Sequence, residues 1–175
     1  MNTAVLAAAP PLLLGVLLLV YVPQAAMLAW IDASAHRLPN RRVAVLTGTT
    51  LLAVLLCALV QPALLPSLRV ALVLAAILGF SAILIALLAP ALLGMGDAKT
   101  TPVVVLMACA LGGEVFIAGA LGAMVLAAVL GVVVLARTGR ADVRIPAGPM
   151  LLACPCLGLL GAPLIASALG TTGGG

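Results

Sequence analysis

Asp32 and Asp97 are the residues on which chemistry could rest, because they are two of only four carboxylates in a 175-residue chain that is 66% hydrophobic. An ionisable group at membrane depth is costly and ordinarily faces a polar cavity or takes part in a reaction. Asp97 lies in Leu93-Gly94-Met95-Gly96-Asp97-Ala98-Lys99-Thr100, where Gly94 and Gly96 permit bending and a close approach that a Cβ would forbid. Asp32 opens Asp32-Ala33-Ser34-Ala35-His36-Arg37-Leu38-Pro39-Asn40. Two carboxylates held together can hydrolyse a peptide: the ionised one takes a proton from water, while the protonated one polarises the carbonyl and then protonates the leaving amine. Taken singly, each has a plainer reading, Asp97 as an acid at a helix N-terminus and Asp32 as a juxtamembrane acid balanced by arginines.

The elements that must position this pair are apolar. With 7% charged residues, 2% aromatics and a mean hydropathy of +1.42, the chain is far from the roughly one-quarter charged composition of a soluble domain. It reads as an all-α polytopic membrane protein, one membrane domain over residues 1–175 with about six transmembrane helices. The segments run roughly Ala7 to Ile31, Val43 to Leu59, Arg69 to Leu92, Thr101 to Leu111, Val115 to Ala136 and Pro149 to Leu169. The first has no basic n-region ahead of it and is expected to be a retained span rather than a cleaved signal. Pro23 is expected to kink it, with Gln24 able to satisfy a freed carbonyl.

Two consecutive crossings return a chain to the side it left, so Asp32, after segment one, and Asp97, after segment three, are expected on one face. Thr101-Pro102 reads as a helix N-cap followed by Pro at the first helical position. That leaves a fourth helix of about 10 residues, roughly 15 Å, and it falls short of a roughly 30 Å hydrocarbon core even if it starts at Asp97. Either the bilayer thins there or Asp97 lies below the membrane surface, at the floor of a water-accessible cleft. The loops after segments one, three and five hold seven of the eight basic residues, and the other face has only Arg69. The positive-inside rule then puts both aspartates on the cytoplasmic side and both termini outside.

Gly94-Met95-Gly96-Asp97-Ala98-Lys99 resembles the GxGD signature of intramembrane aspartyl proteases, in the GxGDxK form of prepilin peptidases. Asp32 with Arg37, Pro39 and Asn40 is similar to the second motif of that family, and Ile145-Pro146-Ala147-Gly148-Pro149 is similar to the turn that opens its last helix. The resemblance implies catalysis by Asp32 and Asp97, with Gly94, Gly96, Lys99, Arg37, Pro39 and Asn40 supporting them. It also implies cleavage of the leader of a type IV prepilin-like protein at the cytoplasmic face of the inner membrane. Neither metal nor organic cofactor is implied. Larger bifunctional members carry a cytoplasmic insert with paired CxxC motifs linked to zinc and methylate the new N-terminus; with no such insert between its segments, this chain is expected to cleave without zinc and without methylation.

The remaining singular residues have modest expected roles. Lys99 is either a topology charge or a bias on the ionisation of Asp97; with the helix N-terminus it would make Asp97 the anion and Asp32 the protonated partner. His36 is expected to be a loop residue, and Glu114 a helix-end acid on the opposite face. Cys57, Cys109, Cys154 and Cys156 lie in apolar segments as small hydrophobes, and Cys154-Pro155-Cys156 lacks metal-site spacing. Gly119, Gly122, Gly158 and Gly161 read as helix-packing positions. The net charge of +4 sits in short loops and speaks for topology rather than nucleic acid. A different class of function stays open: a small proton-coupled transporter or secretion or pilus assembly subunit, whose acids would lie near the midplane on broken helices rather than at segment ends.

Overall fold

The computed structural model describes residues 10–35, 39–90, 93–139 and 148–170, and every regular element among them is helical. Helix α1 (Pro11–Val16) passes through a π turn (Leu17–Tyr21) into α2 (Val22–Ala35). There follow α3 (Asn40–Val60), a 3-10 turn (Pro62–Leu64), α4 (Leu65–Leu88), α5 (Met95–Leu111), α6 (Gly113–Thr138), α7 (Gly148–Leu152) and α8 (Cys154–Ala168). Four stretches are long and apolar enough to cross a bilayer: Pro11–Ser34, Asn40–Val60, Pro62–Leu88 and Gly113–Thr138. The chain is a membrane-embedded helical protein.

The π turn lies just ahead of Pro23, which has no N–H to close an ordinary helical turn. Gln24 bonds the backbone here at the Val20 carbonyl rather than at the Leu19 carbonyl that Pro23 frees, its Nε2 donating to Val20 at 3.0 Å and to Thr49 Oγ1 at 3.0 Å. The second contact ties α2 to α3.

At the centre stands α5, in which every residue from Val103 to Leu111 is buried. A helix apolar all round is one enclosed by other helices. It starts at Met95 rather than at the expected Thr101-Pro102, so Pro102 is internal and Thr101 is not the cap. Proline is tolerated there because α4 makes room for its ring: a methyl at Gly79 would meet Pro102 Cγ at 2.5 Å. At 17 residues α5 is roughly 25 Å long, still short of the roughly 30 Å apolar core.

Lipid is as apolar as leucine, so membrane helices associate through close packing rather than water exclusion. The expected small-residue positions supply it between α6 and α8. A Cβ at Gly119 would strike the Cys154 carbonyl, and one at Gly158 the Val115 carbonyl. Gly122 faces Leu157 and Gly161 faces Ala118, at 3.2 and 3.1 Å from the place a Cβ would take. Among the described residues all four cysteines are free. Tyr21, wholly buried, donates from its hydroxyl to the Leu152 carbonyl at 3.0 Å and joins the π turn to the end of α7. That carbonyl precedes Ala153, where the last apolar segment breaks into α7 and α8.

Candidate functional site

Asp32 does not begin a loop, as expected from its charge; it lies in the last turn of α2. Tyr21, Ala25, Leu28 and Asp32 follow one another at spacings of four, three and four, which keeps them on one helix face. The first three are core residues, and Asp32 continues their stripe with only 8% of its surface exposed. The apolar face below thus aims the carboxylate inward.

Asp97 stands in the first turn of α5, after Gly94 at the N-cap position and Gly96 within the turn. Its polar turn precedes the enclosed apolar run and lies outside the four spans. The hydroxyls of Thr100 and Thr101 both donate to the Asp97 carbonyl, each at 2.9 Å, and the Ala98 N–H donates to the Gly94 carbonyl at 3.0 Å. These bonds pin the peptide that carries the carboxylate.

The two acids meet at Gly148, the first residue of α7. A Cβ on Gly148 would stand 2.5 Å from Asp32 Oδ2, 3.1 Å from Asp32 Cγ and 3.4 Å from Asp97 Oδ1. The two oxygens flank one point, so 5.9 Å, the sum of 2.5 and 3.4 Å, is the greatest separation they can have. The other Asp97 oxygen faces Gly94, 3.3 Å from where its Cβ would be. Three helices therefore converge on the pair with glycine at two of the contacts, and the predicted common face is realised.

Electrostatics couple the two acids. Partial burial, and then the neighbouring charge of Asp32, push the Asp97 carboxyl from 3.8 up to about 6. This direction runs against the expectation that Asp97 is the anion. The cation credited with holding it ionised is engaged elsewhere: Lys99 Nζ donates to Asn40 Oδ1 at 2.9 Å, joining α5 to the start of α3.

The supporting residues divide accordingly. Gly94 and Gly96 shape the turn around Asp97, Lys99 and Asn40 form the α3–α5 tie, and Pro39 precedes α3, its carbonyl accepting from the Arg42 and Val43 N–H groups at 2.9 and 3.2 Å. Arg37 and His36 lie outside the described residues, as do Arg140, Asp142, Arg144 and Ile145-Pro146-Ala147. Glu114, in the first turn of α6, is separated from Asp97 by the length of α5. Among the described residues no group of three or more His, Cys, Asp or Glu could hold a metal ion.

Three contributions to the site are not assigned by the sequence. Tyr21 and the Thr100-Thr101 pair carried readable signals, a lone phenol in an apolar helix and hydroxyls three and four residues after an acid. Gly148 carried none beyond its place in a turn, because its partners are remote in the chain. Searches of protein-family models, curated proteins and solved structures return no match to this chain.

Proposed function

We propose that the protein is an intramembrane aspartyl endopeptidase whose catalytic groups are Asp32 and Asp97. The observation that carries the reading is the convergence of two carboxylates on Gly148, with the proton affinity of one raised by burial and by the other's charge. A dyad sharing one proton is what hydrolysis by two acids needs. Asp32, ionised, takes a proton from water as the water oxygen adds to the scissile carbonyl carbon. Asp97 donates a hydrogen bond to the carbonyl oxygen in that step. The carbon–nitrogen bond then breaks and the amine leaves with a proton from the pair.

The resemblance of both motifs to prepilin peptidases gives the substrate: a prepilin-like protein with a short basic leader and an apolar helix, cut at their junction. Placement favours this over proton transport. Asp32 is in the last turn of its helix and Asp97 in the first turn of its own, at segment ends rather than at a midplane break. Trp30, the only tryptophan, is 77% exposed two residues before Asp32, as an interfacial anchor would be. The full reading has six membrane segments, with α5 and α7–α8 beside the four long spans, in the cytoplasmic membrane with the acids facing the cytoplasm.

The test is Asp32→Asn and Asp97→Asn, singly and together, on a co-expressed prepilin-like precursor with membrane levels checked. Each single substitution is expected to abolish cleavage nearly as completely as the double, since groups that act as a unit do not add. Substantial cleavage by either would refute the dyad, and Glu114→Gln is expected to stay near wild type.

A further inference from the structure

Away from the acids, a groove of about 430 Å³ opens between α2 and α3, lined by Gln24, Met27, Leu28, Arg41, Arg42 and Val45. Its volume lies within the roughly 300–1,000 Å³ of small-ligand sites. The lining is graded along the helices. At the inner end the Gln24–Thr49 hydrogen bonds hold the two helices together. Along the walls stand Met27 and Val45, both about half exposed, beside the buried Leu28. At the outer end two adjacent guanidiniums project from the first turn of α3, and among the described residues no carboxylate lines the groove. Arg42 Nη1 donates to Met27 Sδ at 3.1 Å, so one arginine is anchored on the apolar wall. From Arg41 to Thr49 is eight residues of helix, roughly 12 Å.

Trp30 lies near the outer end of this groove. It stands one turn beyond Met27, 77% exposed, where an indole marks the headgroup layer. With Trp30 in that layer, the arginines would stand level with lipid phosphates and the walls level with the upper acyl chain.

We propose that this groove binds one anionic phospholipid, its phosphate on Arg41 and Arg42 and the start of an acyl chain along Met27, Leu28 and Val45. Guanidinium forks match phosphate oxygens in pairs, which favours this site over a generally basic surface. Basic pockets between membrane helices are a general form of lipid headgroup site. The inference does not rest on the peptidase reading, since it needs neither aspartate.

The test uses protein reconstituted with dioleoylphosphatidylglycerol and dioleoylphosphatidylcholine in equal amounts, with retained lipid counted by native mass spectrometry after extraction. Wild type is expected to retain the glycerol lipid over the choline lipid by an order of magnitude or more, on the order of thirtyfold at most from two interfacial arginines. Neutralising both, Arg41→Gln with Arg42→Gln, should bring the ratio to within about twofold of parity, while Arg69→Gln, on the other face, leaves it unchanged. Val45→Trp fills the groove without touching a charge and should lower the number of lipids retained by one. Equal retention in wild type overturns the proposal. So does a preference that survives either groove change, or one lost equally in Arg69→Gln.

Discussion

Replacing Gly148 by alanine would act on both carboxylates through a single methyl group. The added Cβ would lie 2.5 Å from Asp32 Oδ2 and 3.1 Å from Asp32 Cγ, where ordinary contact begins near 3.4 Å. The methyl belongs to the start of a helix and cannot swing aside, so the carboxylate must withdraw by about 1 Å or α7 must retreat. A 1 Å misplacement of a reacting group costs about 100-fold in rate. The Asp97 side of the same methyl, at 3.4 Å, is ordinary contact, so the damage should fall on Asp32. The assay is cleavage of a prepilin-like precursor by enzyme in liposomes, beside Gly48→Ala, whose added methyl would meet nothing within 4 Å. The expected result is a roughly 100-fold fall for Gly148→Ala with the fold retained, and no change for Gly48→Ala. Cleavage within a few-fold of wild type in a folded Gly148→Ala protein would refute the claim that Asp32 must stand where it does.

Asp97 should titrate with a midpoint about 6, followed through the infrared carbonyl stretch of its protonated form. Since a raised carboxyl holds its proton below that midpoint and loses it above, cleavage should decline as pH rises through about 6, and Asp32→Asn should lower the midpoint by removing a neighbouring negative charge; a midpoint near 3.8, or an upward shift, would contradict the coupling. Tyr21→Phe leaves the Leu152 carbonyl without its buried donor and should cost about 1 kcal/mol of stability, together with some activity because α7 carries Gly148; thermal unfolding in one fixed detergent checks it, and an unchanged Tm would remove Tyr21 from the support. Cysteine labelling should find Gly139 and Ala33, substituted singly by cysteine, accessible from the cytoplasm and Gln61→Cys from outside, and the reverse pattern would invert the orientation.

Much of this fold was legible because length and apolarity alone mark membrane helices, and the common face of Asp32 and Asp97 followed from counting crossings. The misreadings share one physical origin, contacts between residues far apart in the chain. Thr101-Pro102 has the local form of a helix start, yet its proline is accommodated by Gly79 on another helix. Lys99 is two residues from Asp97 but reaches Asn40, 59 positions away, so nearness in sequence picked the wrong partner for it. Asp32 differs, since its charge suggests a helix end although Tyr21, Ala25 and Leu28 already set a helical stripe pointing to it.

The enclosure of α5 also bears on how the chain enters the membrane. This helix is shorter than the hydrocarbon core, carries Asp97 and Lys99 in its first two turns, and presents no face to lipid from Val103 to Leu111. The longer helices around it meet the demands of insertion individually. An isolated α5 would have to leave its charged turn in acyl chains or thin the bilayer around itself. Its place becomes favourable only once α4 offers the notch at Gly79 and α6 has closed over the other side. Biogenesis should therefore be cooperative at this one point, with α4, α5 and α6 leaving the insertion machinery as a unit. The Asp97 half of the site is then assembled together with the helices that shelter it.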